Sequence, residues 1–331
     1  MKALVYTGPE QLEYRDEPEA SPGDGEVMVQ VDAVGICGSD MHAYLGHDDR
    51  RPAPLILGHE AAGVVVSGPD TGRRVTINPL VTCGQCQACR SRRNNLCPDR
   101  QIISMPPRPG AFAQFVSMPA QNLVTVPDGY SLETASMAEP LACGWHAVRM
   151  AESASVIPLA EAKCQVIGGG AIGLGAALAL VAMGATDVAI GETNTLRHPA
   201  LENAGPVKIY NPRSEAAVGD GEADIVIDGV GFAATREAAC RLVRGGGVIV
   251  HIGLGESTGG LDIRRVTLQE VTFIGTYTYT PDDFRETTDA MFDGLLGKLD
   301  WAETRALADG VGAFADIRSG RAAAPKIILK P

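Results

Sequence analysis

The chain has 331 residues, 45% of them hydrophobic and 21% charged, the composition of a soluble globular protein. A chain of this length buries well over half of its unfolded surface, so it needs no disulfides for a stable core, and it is long enough for two domains. Its formal charge of −12 argues against nucleic acid and anionic membranes as partners, because both bind basic surfaces.

The N-terminal sequence and the longest apolar run argue against a secreted or membrane protein. The N-terminal sequence MKALVYTGPE reaches Pro9 and Glu10 without the apolar core of a signal peptide. The longest apolar run, Ala171 to Ala185, contains three glycines and is too short to span a bilayer. We therefore expect a cytoplasmic, reduced protein, in which clustered cysteines bind metal rather than form disulfides.

The first 140 residues predict a β-rich region with Gly/Pro/Asp turns. Its predicted strands are Met1–Tyr6, Glu26–Val34, Ala61–Ser67, Arg74–Asn78 and Ala113–Ser117. Helical spacing follows over Leu141 to Ser153, and from Cys164 short apolar strands alternate with helices, which predicts right-handed βαβ units and a parallel sheet.

The strands of this second half are predicted at Gln165–Gly168, Asp187–Ile190, Asp224–Asp228, Gly247–Gly253 and Val271–Gly275. After about Pro281 the pattern is helical again, and the chain closes with a predicted strand, Lys326–Leu329, that we expect to rejoin the first domain.

A glycine fingerprint opens the second half. Gly168, Gly170 and Gly173 form G-x-G-x-x-G between a predicted strand and helix, where glycines permit a tight turn and a close approach of a pyrophosphate. Glu192, at the end of the next strand, can bind ribose hydroxyls and would repel a 2′-phosphate, which favours NAD over NADP. Arg197 keeps NADP open as the alternative, because its guanidinium could approach a phosphate.

A cysteine cluster with the spacing C-x2-C-x2-C-x7-C comprises Cys83, Cys86, Cys89 and Cys97. Four thiolates in one loop predict a closed, structural zinc site; free or redox-active thiols are the alternative. We expect the interleaved arginines, Arg90, Arg92 and Arg93, to offset the thiolate charge.

A second candidate metal site is sparser. Cys37 lies in G-I-C-G-S-D-M-H, and His59 and Glu60 lie in L-G-H-E, so three kinds of zinc ligand are present and one coordination position is left for substrate. Taken singly, a residue such as Cys37 is more often a buried apolar side chain than a ligand, and one such as His59 is more often an ordinary hydrogen-bonded histidine. Glu139 lies near Pro140, where the sequence pattern changes from β-rich to helical and a cleft between domains is expected. A functional carboxylate in this cleft is one interpretation of Glu139, and a solvated or helix-capping acid is the alternative.

In this order the motifs resemble those of the zinc-dependent alcohol dehydrogenases of the medium-chain dehydrogenase/reductase family, over essentially the whole chain. The stretch Glu139-Pro140-Leu141 resembles the polyol (sorbitol) and L-threonine dehydrogenase branch. The resemblance implies an α/β fold with two parts: a β-rich GroES-like catalytic domain and a Rossmann domain, which is a doubly wound parallel sheet. The implied limits are 1–146 and 284–331 for the first, with a zinc lobe at about 80–100, and 147–283 for the second.

The resemblance also implies roles for individual residues. Cys37, His59 and Glu60 would hold a catalytic zinc, with Glu139 as an exchangeable fourth ligand or as an activator of bound water. Ser39 and His42 match the family's proton-relay positions. The cofactor contacts implied beside the three fingerprint glycines are Ile172, Glu192, Arg197, Ile252, Gly253, Leu254, Thr276 and Tyr277.

The activity implied by the resemblance is reversible oxidation of a secondary alcohol, with hydride transfer to NAD, two zinc ions per chain and assembly as a tetramer or dimer. A polyol is the expected substrate, and L-threonine or another amino alcohol is the alternative. A zinc-free quinone or enone reductase and a non-catalytic binding protein are more distant alternatives.

Some features lie outside the pattern. The segment from Asn211 to Ala223 is short, which predicts a truncated Rossmann helix, and His198-Pro199 is unusual after the second strand. Three further cysteines, Cys143, Cys164 and Cys240, have no predicted role. Tyr44 and Trp301 could line a substrate pocket, although core packing is the expected role for both.

Overall fold

The computed structural model describes residues 1–331, which form eighteen strands and ten α-helices. The strands are β1 (Lys2–Gly8), β2 (Gln11–Asp16), β3 (Glu26–Gly35), β4 (Leu55–Ile56), β5 (Glu60–Val65), β6 (Arg74–Ile77), β7 (Leu80–Val81), β8 (Gln101–Ile102), β9 (Phe115–Pro119), β10 (Leu123–Thr125), β11 (Lys163–Ile167), β12 (Asp187–Gly191), β13 (Lys208–Tyr210), β14 (Ala223–Asp228), β15 (Val243–His251), β16 (Thr272–Gly275), β17 (Ala302–Ala306) and β18 (Lys326–Lys330). The helices are α1 (Gly38–Tyr44), α2 (Gln87–Arg90), α3 (Leu132–Ser136), α4 (Ala138–Ala154), α5 (Ala171–Ala182), α6 (His198–Ala204), α7 (Ala233–Leu242), α8 (Ile263–Leu268), α9 (Pro281–Phe292) and α10 (Gly310–Arg318).

The N-terminal part is built on a largely antiparallel sheet in the order β10-β6-β5-β3-β18-β17, with β9 also paired to β3. A smaller sheet in the order β2-β1-β4 lies beside it, and the apolar side chains of the two sheets share a core of 32 buried residues. The C-terminal strand β18 pairs antiparallel with β3, which confirms that the end of the chain rejoins the first part.

The second part is a six-stranded sheet in the order β13-β12-β11-β14-β15-β16, in which every pair is parallel. This is the strand order of a doubly wound nucleotide-binding fold. All five predicted strands form, with ends that differ by a few residues. Residues 211–222, between β13 and β14, contain turns and no helix, so the predicted shortening removes that crossover helix completely.

Helix α4 links the two parts. It packs on α5 of the parallel sheet and on α9, and its apolar side belongs to a core of 36 buried residues. The helix continues without a break through residue 147, so the implied domain limits remain a prediction. No helix has the length and hydropathy needed to cross a membrane.

Candidate metal and cofactor site

The register of two strands brings three predicted zinc ligands together. Gly35 of β3 lies opposite Glu60 of β5, so Cys37, just after β3, faces His59, just before β5. One ligand atom from each of Cys37, His59 and Glu60 lies within 4.8 Å of the other two. Gly35 is required here, because a Cβ at that position would lie 2.1 Å from a carboxylate oxygen of Glu60. A thiol, an imidazole and a carboxylate at this separation fit a zinc ion.

The ring of His59 is held from both sides. Asp40 Oδ1 lies 3.4 Å and Ser104 Oγ 3.3 Å from its Nδ1, and Ser39 Oγ lies 3.4 Å from its Nε2. Burial opposes a charge on this ring, but Asp40 and then Cys37 raise the pKa of His59 well above its usual value. A carboxylate behind a ligand histidine is the usual support of a metal site, because it orients the ring and makes it more basic.

The carboxylate of Glu60 also binds a lysine from the C-terminal end of the chain. Lys326 Nζ donates to both carboxylate oxygens of Glu60, at 2.7 and 2.6 Å, and to the carbonyl of Ile36 at 2.8 Å. Both side chains are buried. Burial would lower the pKa of Lys326, but the charge of Glu60 raises it, so the pair is an ion pair. The last strand therefore supplies a counter-charge to the predicted ligand.

Glu139 lies in the first turn of α4 and is buried, but it is not part of the three-ligand group. Its Oε1 accepts a hydrogen bond from the hydroxyl of Tyr279 at 3.0 Å, and the thiol of Cys143 lies 4.0 Å away. Burial raises the pKa of Glu139 to about 7, His59 opposes the increase, and Glu60 adds to it. Glu139 is only 4% exposed, which argues against the solvated-acid alternative.

The two predicted relay residues lie on α1. Ser39 contacts the ring of His59, whereas His42 is half-buried one turn further along and is not hydrogen-bonded to Ser39. Burial, and then the charge of His47, lowers the pKa of His42 below its usual value. This shift favours the neutral ring of His42.

The four clustered cysteines also converge. Their sulfur atoms lie within 4.8 Å of one another, and the pairs Cys86–Cys89 and Cys83–Cys97 are each 3.5 Å apart. Zn–S bonds of about 2.3 Å place the sulfurs of a tetrahedral site about 3.8 Å apart, so the cluster fits zinc. Backbone hydrogen bonds from Gln85 and Cys86 lower the pKa of the Cys83 thiol to about 7.

The interleaved arginines do not contact these sulfurs. Arg90 and Arg93 are exposed without an ion pair, and Nη1 of Arg92 lies 3.9 Å from Asp282 of α9. No contact between these arginines and the sulfur atoms supports the expectation that they offset the thiolate charge.

The fingerprint forms the turn between β11 and α5. Gly168 has φ +96°, and a Cβ at Gly173 would lie 1.9 Å from the carbonyl oxygen of Gly168, so both positions require glycine. A cavity of about 200 Å³ lies between this turn and the metal-ligand group, with Gly170 and Ile172 on one wall and Cys37 and Glu60 on the other. The open cradle beside Gly170 fits a dinucleotide pyrophosphate at a helix N-terminus.

Glu192 is fixed beside this turn. Its carboxylate accepts hydrogen bonds from the backbone N–H of Gly169 at 2.8 Å and of Asn194 at 2.6 Å, and Arg197 Nη1 lies 3.5 Å away. Nε of Arg197 is buried without a partner. The unusual His198 contacts the backbone of the same loop: its Nε2 lies 2.9 Å from the carbonyl oxygen of Glu192.

The other predicted cofactor contacts lie at the ends of β15 and β16. Ile252 and Gly253 donate backbone hydrogen bonds to Asp228, and Leu254 is exposed. Thr276 and Tyr277 line a different, polar cavity of about 580 Å³ beside the cysteine lobe. None of these five residues lines the cavity that joins the fingerprint to the metal-ligand group.

Four residues in contact with the site were not predicted from the sequence: Asp40, Ser104 and Lys326, beside the three-ligand group, and Tyr279, beside Glu139. Tyr44 and Trp301, in contrast, are core residues, since Tyr44 packs on Phe314 with ring centroids 5.2 Å apart and Trp301 is buried in the core around α4.

Comparison with known proteins agrees with this architecture. The family model described as "Alcohol dehydrogenase GroES-like domain" matches residues 23–128, and the one described as "Zinc-binding dehydrogenase" matches residues 171–293. The chain is 31% identical over 309 residues to L-galactonate-5-dehydrogenase of Escherichia coli (strain K12), covering 89% of this chain and 88% of that protein.

It is also 32% identical over 296 residues to sorbitol dehydrogenase of Bacillus subtilis (strain 168), covering 84% of this chain and 82% of the relative. A solved structure, acetophenone reductase from Geotrichum candidum NBRC 4597 in complex with NAD, matches 100% of this chain and 97% of its own, with 26% identity and a TM-score of 0.88. The chain therefore belongs to the zinc-binding, medium-chain alcohol dehydrogenase family, within its polyol dehydrogenase branch. It is an oxidoreductase with a GroES-like part and a Rossmann part.

Proposed function

We propose that this enzyme oxidises a secondary alcohol of a polyhydroxylated substrate, reversibly, with NAD as the hydride acceptor. One observation carries the proposal: Cys37 and Glu60 share a single cavity with Gly170 and Ile172. A cofactor whose pyrophosphate is held at the fingerprint would therefore enter the same cavity as an alcohol held at the metal-ligand group, and hydride transfer requires the two to be neighbours.

The protein contributes ligands and their orientation. Cys37, His59 and Glu60 would hold a zinc ion, which would supply the Lewis acid that lowers the pKa of an alcohol oxygen. Asp40 and Ser104 contact Nδ1 of His59 and orient the ring, so that Nε2, which Ser39 Oγ contacts at 3.4 Å, would be the nitrogen that binds the metal. Glu139 is the further carboxylate of this site, and the hydroxyl of Tyr279 holds its Oε1 in place.

The proposed path of the alcohol proton runs from Ser39 through a ribose hydroxyl of the bound cofactor to His42, since Ser39 and His42 are not hydrogen-bonded to each other. The hydroxyl of Ser39 lies beside His59 and can accept this proton while releasing its own. His42 is the proposed final acceptor on α1, and burial lowers its pKa, which favours the neutral ring that can bind a proton.

NAD is favoured over NADP by the fixed carboxylate of Glu192. Two backbone N–H groups hold it beside the fingerprint, where a ribose hydroxyl can donate to it and a 2′-phosphate would be repelled. Arg197 pairs with this same carboxylate through Nη1 at 3.5 Å, so Glu192 offsets part of the positive charge that a phosphate would need.

We propose two zinc ions per chain, one at the Cys37 group and a structural one in the four-cysteine lobe. The structural site has four protein ligands and no open position, so its loss should reduce stability rather than change the chemistry.

The test combines metal analysis with a screen for NAD reduction over polyols, aldonates, L-threonine and simple secondary alcohols. We expect about two zinc per chain and turnover with a polyhydroxylated alcohol. Cys37→Ser should remove about one zinc and abolish turnover while NADH still binds. Cys240→Ser, a buried cysteine outside both groups, is the matched control and should change neither.

The other outcomes favour the alternatives. A preference for L-threonine would make the chain an amino-alcohol dehydrogenase of the same branch. Absence of zinc with reduction of quinones or enones would favour the zinc-free reductase, and full zinc without turnover on any alcohol would favour a binding protein. Undiminished turnover in Cys37→Ser would contradict the metal assignment.

A further inference from the structure

The imidazole of His59 lies between two serine hydroxyls that come from different segments of the chain. Ser39 Oγ lies 3.4 Å from Nε2 of the ring, and Ser104 Oγ lies 3.3 Å from Nδ1, which Asp40 also contacts. Ser39 is in the first turn of α1, whereas Ser104 follows β8. The orientation of the ring toward a bound metal therefore depends on how these two segments are held together.

Ser104 has a backbone conformation that its surroundings must hold in place. Its φ is +72°, in the left-handed region that is rare for residues other than glycine, and the residue is completely buried. Such a conformation persists only where neighbouring groups fix it, and it is common at functional sites. The hydroxyl that contacts Nδ1 of His59 is thus carried by a turn that needs an external partner.

Arg51 is that partner. Its Nε donates to the carbonyl oxygen of Ser104 at 3.0 Å, and its Nη1 lies 3.4 Å from the carbonyl oxygen of Ser39. The residue is only 3% exposed, so water has little access to these contacts. One guanidinium therefore joins the two segments whose hydroxyls contact the two ring nitrogens of His59.

The charge of Arg51 is balanced within its own loop. Nη1 of Arg51 lies 2.7 Å from Asp48 Oδ2, and the two side chains are only 2% and 8% exposed. A buried ion pair is tolerated where further hydrogen bonds use the remaining donors, and the two serine carbonyls have this role here. Arg50 pairs with the same carboxylate but is 57% exposed and is hydrogen-bonded to neither serine.

The three contacts of Arg51 require the geometry of a guanidinium. Its N–H groups are fixed in one plane and point in different directions, so a single side chain can reach the carboxylate of Asp48 and the carbonyls of Ser39 and Ser104 together. An ammonium group is a point charge on a flexible stem and has no such fork. A lysine could keep the ion pair but could not join the two carbonyls.

On the basis of the proposed function, we propose that Arg51 is a positioning residue of the catalytic metal site. By fixing the backbone of Ser39 and Ser104, it holds their hydroxyls on the two sides of His59 and keeps the ring aligned for the metal. Arg51 is hydrogen-bonded to none of the three predicted metal ligands, so it acts through the serines. Removing groups that orient a ligand histidine lowers metal affinity or activity by about 10- to 100-fold.

The test measures metal binding by the full-length enzyme. Competition with a zinc chelator gives the affinity, and the visible absorption of the cobalt(II)-substituted enzyme reports the coordination geometry. In Arg51→Lys we expect the metal at the Cys37 group to bind about tenfold more weakly or worse, with shifted cobalt bands, while the four-cysteine lobe keeps its metal. In the zinc-loaded variant, kcat should fall by about tenfold while the KM for NAD stays unchanged.

Arg50→Lys is the matched control. It makes the same change at the neighbouring residue, which pairs with the same Asp48 and contacts neither serine. Metal affinity, cobalt absorption and turnover should all remain those of the wild type.

A double-mutant cycle tests whether Arg51 acts through Ser104. Ser104→Ala removes the hydroxyl that contacts His59 and leaves the carbonyl that Arg51 binds. If the arginine acts through this serine, Arg51→Lys/Ser104→Ala should lose less metal affinity than the product of the two single effects.

Three results would overturn the inference. The first is unchanged metal affinity and cobalt absorption in Arg51→Lys, and the second is single effects that simply multiply in the double variant. The third is loss of both metals together with secondary structure, which would show that Arg51 supports the fold as a whole and not this site. Failure of every alcohol to reduce NAD would instead contradict the proposed function, and the metal measurements would still decide the role of Arg51.

Discussion

At the scale of single residues, the choice of cofactor depends on one carboxylate and the arginine beside it. Glu192 is buried, is held by the N–H groups of Gly169 and Asn194, and lies 3.5 Å from Arg197. In this position the carboxylate both repels a phosphate and occupies the nearest cation. Removing it should therefore have two effects in the same direction.

We predict that Glu192→Gln raises the ratio of kcat/KM for NADP to that for NAD by about tenfold or more, because the repulsion is lost and Arg197 becomes free to bind a 2′-phosphate. Steady-state kinetics with both cofactors measure the ratio. Glu237→Gln, which removes an exposed acid from α7 of the same sheet domain, is the control and should leave it unchanged. An unchanged ratio in Glu192→Gln would show that the cofactor is selected elsewhere.

The residues that the sequence did not reveal are those whose role depends on distant pairing. Cys37, His59 and Glu60 were predictable because ligand type and local motif identify them. Asp40 lies in the same motif, and its position three residues after Cys37 was a signal that could have been used. Lys326 carried no such signal, because it reaches Glu60 only through the pairing of β18 with β3, across 266 residues of sequence.

At the scale of secondary-structure elements, one side chain joins α4 to α9. Asp283 caps α9 together with Thr280, accepts a hydrogen bond from Nδ1 of His146 at 2.9 Å, and pairs with Arg149 at 2.7 Å. Burial would raise the pKa of Asp283, but His146 and then Thr280 lower it to about 2. A carboxylate with a folded-state pKa below its unfolded value of about 3.9 stabilises the folded state above that value.

We predict that Asp283→Asn lowers the free energy of unfolding by about 1–3 kcal/mol at pH 7, since a buried cap and an ion pair are lost together. Because the stabilisation is lost as pH falls from about 4 toward about 2, the difference between wild type and variant should shrink over that range. Urea unfolding at several pH values measures it. Asp289→Asn, an exposed acid of the same helix without an ion pair, should have little effect, and a difference that does not depend on pH would contradict the assignment.

Elements were predictable where hydropathy alone specifies them, as in the buried strands of the parallel sheet. The edge strands β13 and β17 were not predicted, because β13 has only three residues and β17, AETRA, is polar and half-exposed. The crossover between β13 and β14 was predicted only in part. Its short length indicated a shortened helix, whereas the structure has turns and no helix there.

At the scale of the whole molecule, the surface next to β16 bears on assembly. This strand is an outer strand of the parallel sheet, so one of its edges has unpaired backbone groups. Exposed apolar side chains precede it along the chain: Leu254 is 65% exposed, Ile263 62% and Leu268 66%. Exposed apolar side chains and a free strand edge are both typical of surfaces that a partner covers, and a second copy of the chain is the partner that the predicted homo-oligomer requires.

We predict that light scattering coupled to size exclusion gives a mass that is an even multiple of the 34.6 kDa chain. The double variant Ile263→Glu/Leu268→Glu should shift the protein to smaller species, because charges on α8 would be buried without partners in the assembly. Val156→Glu, at an exposed apolar residue 79% accessible and outside this surface, is the control and should not change the mass. Since Ile263 and Leu268 lie in no apolar core, circular dichroism of the double variant should match wild type, so a smaller mass reports assembly rather than unfolding. A wild-type mass of one chain would make the predicted oligomer wrong.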